Sequence, residues 1–295
     1  MHPERKILLV VNPVSGGTAK DEIFNIAIAR SKIEPFELLI YQTTGVEDLE
    51  AIGHLVSTQQ PERVIVAGGD GTIGMVARTL AQTEAIMGII PAGSANGLSV
   101  DFALPTSFEE AFDIALGSHV IAMDAVDING DICLHLGDIG LNALLVKNYE
   151  MNDSRGKIGY AKEMLKTLSE HNNFRVQIDY PEGRLETEAL IVIIANGAKY
   201  GTGVNINPKG SISDGFFELV IARRLNFIES AKILTGSTDF DPDILQIVST
   251  KSAHLVCPDH GVHFQIDGEY KGEVKELRIE IIEKYVHVAV PAPHP

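Results

Sequence analysis

The sequence predicts an α/β domain followed by a mostly β domain, and three observations carry that prediction. Over the first 120 residues, short apolar runs alternate with amphipathic ones, the pattern of a parallel sheet covered by helices on both faces. After that point strand-like runs follow one another with turn signals between them, as in antiparallel hairpins. Small-residue, glycine-containing segments at 12–17, 68–72 and 91–97 follow early strand-like runs, at the sheet edge where α/β proteins bind ligands.

The early strands are predicted at 6–12, 36–42, 63–69 and 86–92, and the helices between and after them at 20–32, 46–59, 72–83 and 107–117. Pro105 precedes the last of these helices and Gly117 closes it. The boundary is expected near 118–125, so that residues 1–120 form the first domain and 121–285 the second. Strands in the second are predicted at 120–128, 131–140, 174–180, 188–196, 216–224, 253–257, 262–269 and 276–290, with helical interruptions at 157–171 and 227–236. Asn129-Gly130 and Pro181-Glu182-Gly183 supply turns.

A chain of 295 residues suits two domains of about 100–200 residues each. Its 45% hydrophobic content is enough for packed cores. Forty acidic against 24 basic residues give a formal charge of −16, which excludes broad nucleic-acid binding by phosphate neutralisation. Net charge does not favour anionic lipid either, although Arg155, Lys157, Lys162 and Lys166 offer a local cationic face. Cys133 and Cys257 form no CxxC pair, so a disulfide framework or zinc ribbon is not expected. No run reaches the roughly 18 apolar residues of a membrane span, and the apolar run 7–11 is too short for a signal peptide. A cytoplasmic protein is expected. The histidines show no HExxH spacing, and His135 reads as a core histidine. The Asp239, Asp241, Asp243 series lacks the glycine and distal glutamate of a calcium loop and reads as a solvated acidic turn.

The chemistry is concentrated in 64-VIVAGGDGTIGMVARTL-80. A glycine-rich strand-to-helix turn exposes amides beside the positive end of a helix dipole, which suits phosphate. Gly68, Gly69 and Gly71 permit close approach, and Thr72 is placed to cap the helix or to touch phosphate oxygens. A lone GGDG is also compatible with a plain tight turn capped by Asp70. The companion loops 12-NPVSGG-17 and 93-GSANG-97 favour nucleotide phosphates. A carboxylate beside phosphate needs a metal or a proton to take, so Asp70 reads either as a magnesium ligand or as a base for an attacking hydroxyl. GxxxxGK[ST] does not occur here.

The segments 12-NPVSGG-17, 68-GGDGT-72 and 91-PAGSANG-97, in that order, resemble the diacylglycerol kinase catalytic family, which includes soluble bacterial lipid kinases and, more distantly, sphingosine and ceramide kinases. The similarity continues through 124-DAVDING-130, 137-GDIGLNA-143, 211-SISDGFFELV-220 and 266-IDGE-269, so it spans residues 6–290. The resemblance implies a Rossmann-like nucleotide-binding domain followed by a β-sandwich domain, with the tail 286–295 returning to the first. It further implies a lipid kinase that moves the γ-phosphoryl of ATP, with Mg2+, to a lipid hydroxyl at a membrane surface. By motif match, Asn12, Ser15, Gly16, Thr43 or Thr44, Gly68, Gly69, Gly71, Thr72, Gly93, Ser94 and Asn96 would bind the nucleotide. Asp70, Asp124 and Glu269 would be the catalytic acids; Asp70 would also hold magnesium, and Asp214 would match an acid near a structural metal. A diacylglycerol-like or sphingoid-like acceptor, and a monomer or a homodimer, all remain open. Ile73-Gly74-Met75, Gly97 and Asn142 depart from the residues common in the family. A silent nucleotide-binding protein and an NAD kinase-like phosphotransferase are the alternatives.

Overall fold

The computed structural model describes residues 5–14, 20–94, 96–151, 173–200, 204–205, 207, 210–224, 241 and 243–292. The chain divides into two compact units. One comprises Met1–Met123 with Lys284–Pro295, and the other Asp124–Tyr200 with Val204–Glu283.

In the first unit the order is β1 (Arg5–Val11), α1 (Lys20–Ile33), β2 (Phe36–Gln42), α2 (Asp48–Gln59), β3 (Arg63–Gly68), α3 (Asp70–Leu80), β4 (Ile86–Pro91), α4 (Gly97–Asp101) and α5 (Phe108–Leu116). The sheet order is β2-β1-β3-β4 and every pair is parallel. Alternate strand positions Ile7, Leu9, Val11, Ile65 and Ala67 pack with Ile23 and Ala27 of α1 and with Ala111, Phe112 and Ala115 of α5. The intervening Leu8, Val10, Val64 and Val66 are equally buried, as the cover of α2 and α3 on the opposite face requires. Arg63, at the start of β3, donates to the Ala115 and Gly117 carbonyls (2.8 and 2.7 Å), so a buried cation closes the C-terminal end of α5.

The second unit holds β5 (Val120–Ile128), which begins in the first, then β6 (Asp131–Cys133), β7 (Leu136–Gly140), α6 (Leu141–Met151), β8 (Phe174–Tyr180), β9 (Gly183–Ala189), β10 (Ile191–Ala195), β11 (Lys199–Tyr200), β12 (Val204–Asn205), β13 (Phe217–Ala222), β14 (Leu245–Thr250), β15 (Ser252–Val256), β16 (Val262–Ile266), β17 (Glu269–Val274) and β18 (Glu276–Ala289). One antiparallel sheet runs β14-β13-β10-β7-β16-β17, and β18-β15-β8-β9 forms part of the other. Phe174, Val176 and Ile178 of β8 and Leu277 and Ile279 of β18 share a core with Val192 and Ile194, with Phe217, Leu219 and Ile221, and with Phe264 and Ile266. That period-two alternation across both sheets defines a β-sandwich. From Lys284 the last strand lies in the first unit, where His287 and Val288 pair in parallel with Ile86 and Met87 of β4.

Several sequence expectations change here. The single strand expected at 131–140 is two strands in different sheets, broken at Leu134-His135. The run 188–196 is likewise divided at Leu190, where the chain crosses from β9 to β10. The run 262–269 ends at Ile266, turns, and returns as β17. Helix α6 was not expected. The helical predictions at 157–171 and 227–236 lie outside the described residues, as do the basic face from Arg155 to Lys166 and Asp239.

Candidate active site

Strands β1 to β4 point their C-terminal ends to one edge, and backbone bonds set the loops beyond them in a row. Thr43 N–H donates to the Val11 carbonyl (2.9 Å), Asn12 N–H to Ala67 (3.0 Å) and Ala92 N–H to Gly68 (3.0 Å). Because β1 sits between β2 and β3, the chain order reverses between β1 and β3. Asn12 and the Gly68–Thr72 turn stand at that switch point, the position where open α/β sheets bind ligands.

The Asn12 side chain donates to Thr72 Oγ1 (3.0 Å) and accepts from the Val14 amide (2.9 Å). Thr72 is buried and therefore braces the neighbouring loop. Gly69, at the N-cap of α3, brings no side chain, and the amides of the first helical turn have no acceptor inside the helix. Asp70 does not cap its own helix. Its carboxylate accepts from the amides of Gly97 (3.0 Å) and Leu98 (3.3 Å), the first residues of α4. Asn96 closes the same loop on itself, accepting from Gly93 N–H and donating to Gly93 O (both 2.9 Å). Gly69 and Gly93 meet backbone to backbone: a Cβ on Gly93 would stand 2.3 Å from Gly69 Cα. Gly71 and Ser94 are exposed beside them. The first unit thus brings together Asn12, Gly68, Gly69, Asp70, Gly71, Thr72, Gly93, Ser94 and Asn96. Ser15 and Gly16 lie outside the described residues.

Thr43 is buried, and its neighbour Thr44 binds Asp48 through its amide (2.8 Å) and hydroxyl (3.2 Å). Asp48 also accepts from Gly45 N–H and from the Tyr41 hydroxyl (both 2.7 Å). Burial pushes the Asp48 carboxyl up, but these bonds outweigh it and hold the group below its usual range. Burial and the bond to Asp48 push Tyr41 up to about 12. Asp48, an anchor of the loop after β2, was not singled out in the sequence; its signal was an acidic residue opening the amphipathic run.

In the second unit, Asp124 is 2% exposed. Its carboxylate accepts from Gly215 N–H (2.8 Å), its amide donates to Ile212 O (2.8 Å), and its carbonyl accepts from Asn196 (2.9 Å). It holds the 211–215 turn. Asp214 is exposed and accepts from the Phe216 amide (3.0 Å). Glu269 is 62% exposed and pairs with Lys271 (3.1 Å). Among the described residues no three His, Cys, Asp or Glu side chains group to hold a metal ion.

Two acids that the sequence reading did not single out emerge beside Glu269. Asp267 and Gly268 take φ of 49° and 85°, consecutive positive values that make 266-IDGE-269 a type I′ turn between β16 and β17. The Asp267 carboxylate accepts from the amides of Leu134 (2.9 Å), His135 (2.9 Å) and Leu136 (3.1 Å). Those bonds occupy the amides where the expected strand 131–140 breaks. Asp138 on β7 is fully buried; its Oδ2 accepts from Asn142 (2.6 Å) and from Gln265, and Oδ1 has no hydrogen bond. Burial pushes the Asp138 carboxyl up to about 7. An Asp-Gly pair between alternating runs and an acid inside an apolar strand were the available signals.

Comparison with known proteins matches residues 6–128 to the diacylglycerol kinase catalytic domain and residues 139–290 to the YegS C-terminal NAD kinase beta sandwich-like domain. A protein of Enterobacter sp. (strain 638), named "Probable lipid kinase YegS-like", is 26% identical over 96% of this chain and 95% of its own length. A Serratia proteamaculans (strain 568) protein of the same name is 26% identical over 99% and 96%. Two solved structures from Bacillus anthracis str. Sterne each match over 97% of both chains. One, titled a diacylglycerol kinase, has a TM-score of 0.77 at 22% identity, and the other a TM-score of 0.81 at 25%.

Proposed function

This chain belongs to the diacylglycerol kinase catalytic family, and from that premise we propose that it is an ATP-dependent lipid kinase that phosphorylates a lipid hydroxyl. The carrying observation is the convergence of Asn12, Gly68–Thr72, Gly93, Ser94 and Asn96 at one sheet edge. Helix-start amides beside glycines that admit no Cβ suit the phosphates of a nucleotide. On this reading Asn12, Ser15, Gly16, Thr43, Gly68, Gly69, Gly71, Thr72, Gly93, Ser94 and Asn96 serve the nucleotide, and a diacylglycerol-like or sphingoid-like molecule is the acceptor.

Magnesium fits the chemistry of Asp70, whose two amide bonds leave lone pairs on both carboxylate oxygens. When bound it would neutralise phosphate charge. Asp70 would do two things at once, holding the Gly97 loop in register and facing the phosphates. Asp124 and Glu269 are the further candidate acids, and Asp214 the candidate ligand of a structural metal. Asp124 is committed to the 211–215 turn, whereas Glu269 is exposed and free to exchange Lys271 for another partner. Among the described residues no helix is long and apolar enough to cross a membrane, so contact with lipid on this reading is peripheral.

Incubation with labelled ATP, magnesium and mixed lipid micelles tests the reading. Labelled lipid is expected from the wild type, with a loss on the order of a hundredfold for Asp70→Asn. No labelled lipid, or full activity in that variant, would overturn it. The description of the second matched domain favours one other acceptor for direct comparison, NAD in place of lipid.

A further inference from the structure

Asp138 belongs to none of the motif positions assigned a role above, yet it stands at the centre of a continuous chain of side chains. It lies on β7, with Gln265 of β16 opposite it in register. Gln265 Nε2 donates to Asp138 Oδ2, and Gln265 Oε1 accepts from the Gly268 amide (2.8 Å). On the other side Asn142, in the first turn of α6, donates to the same Oδ2 (2.6 Å). Asn142, Asp138, Gln265 and Gly268 therefore form one relay from α6 to the turn that presents Glu269. Gln265 is 1% exposed and Asn142 9%, so water does not substitute for these bonds at low cost.

We propose that Asp138 is a positioning residue, which through Gln265 fixes the turn carrying Glu269 and docks α6 on the same sheet. The link to chemistry rests on the kinase reading above, but the relay itself does not. The Cys133 thiol stands near it, its pKa raised by burial first, then by Asp267 and least by Asp138, and Asp267, a carboxyl that burial pushes up, lies in the turn itself. Lys147 of α6, His263 of β16 and Tyr270 and Glu273 of β17 contact one another. The β10 positions nearest in register, Ile193 and its neighbours, are apolar. Burial and Lys147 lower the His263 pKa.

The charge state of Asp138 sets how firmly the relay holds. Protonation at Oδ1, which accepts from neither Asn142 nor Gln265, leaves both bonds at Oδ2 in place. Ionisation places a charge in a site without a cationic partner and favours any opening that admits water. The folded-state pKa of about 7 lies above the ordinary carboxylate value, so the native state binds the extra proton between them. The Asp138 contribution to stability is full below about pH 4, declines as pH rises toward 7 and is flat above.

Amide hydrogen exchange at Gly268 and Glu269, corrected for intrinsic rates, decides the matter without any catalytic readout. In the wild type, protection is expected to fall about tenfold between pH 6 and 8, a tenfold change corresponding to about one pKa unit of linkage. Asp138→Asn, which keeps an acceptor but not the charge, should stay protected at both values. Gln265→Met, which breaks the relay at nearly constant volume, should exchange fast at both. Unchanged protection in Gln265→Met, or a pH response that persists in Asp138→Asn, would overturn the proposal. A missing kinase activity would instead bear only on the functional reading.

Discussion

Two of the Asp-Gly turns of this chain are built alike and used differently. Asp70-Gly71 ends a parallel strand and opens a helix, and its acid braces the loop of the next strand. Asp267-Gly268 joins two antiparallel strands, and its acid braces a loop more than 130 residues earlier. Asp267 takes three backbone amides and fixes the point where β6 gives way to β7. Asp70 takes two, on a sheet edge surrounded by small residues, and leaves lone pairs open. An acid in a glycine turn is thus structural or chemical according to how much of its capacity the fold consumes.

The largest expected effect tests the structural half of that comparison. Asp267→Ala leaves three amides without their acceptor and should cost about 3 kcal/mol or more in urea unfolding. A cost no larger than that of Asp70→Ala would erase the distinction between the turns. Next comes Gly93→Ala, whose Cβ would collide with Gly69 Cα at 2.3 Å. It should cost about 1–3 kcal/mol and weaken ATP binding on the order of tenfold in a calorimetric titration. Intact affinity would show that the two loops need not touch to hold phosphates.

Asp70→Ala removes a helix-capping carboxylate from α4 and should cost only about 1 kcal/mol of stability. Its loss of phosphoryl transfer should far exceed what so small a destabilisation explains, as paired unfolding and rate measurements would reveal. Smallest is Gly74→Ala. Helix α3 forms despite this glycine, and a Cβ there would meet nothing within 4 Å. The variant should gain about 0.5–1 kcal/mol, read as a raised thermal midpoint. A loss would mean that the departure at Gly74 has a role beyond packing.

The first unit was largely legible because its signals are local. Its strands are continuous apolar runs punctuated by Asn12, Gly68-Gly69 and Pro91, and α3 and α5 carry the expected amphipathic pattern. The second unit was less so, because its breaks are imposed from far away. Nothing between Asp131 and Gly140 reveals that Asp267 will claim the amides of Leu134, His135 and Leu136. Helix α6 was missed for a similar reason: the acid at its N-terminal end, Asp138, sits inside a strand. Strand β17 reads 269-EYKGEV-274, with charged residues on its exposed face, and lacks the apolar run that identifies a buried strand. The loops after β1, β3 and β4 were readable as a set at one sheet edge. The bracing acids Asp48, Asp138 and Asp267 were not, since a bracing role appears only when the braced backbone is in place.

The central claim is that the loops after β1, β3 and β4 form a phosphate cradle. Backbone amide chemical shifts recorded during a titration with magnesium and ATP test it most directly. Saturable changes centred on Asn12, Gly68–Thr72 and Gly93–Asn96, and abolished in Gly93→Ala, are the predicted result. Saturation with changes confined to other parts of the chain, or no change at millimolar ATP, would contradict it.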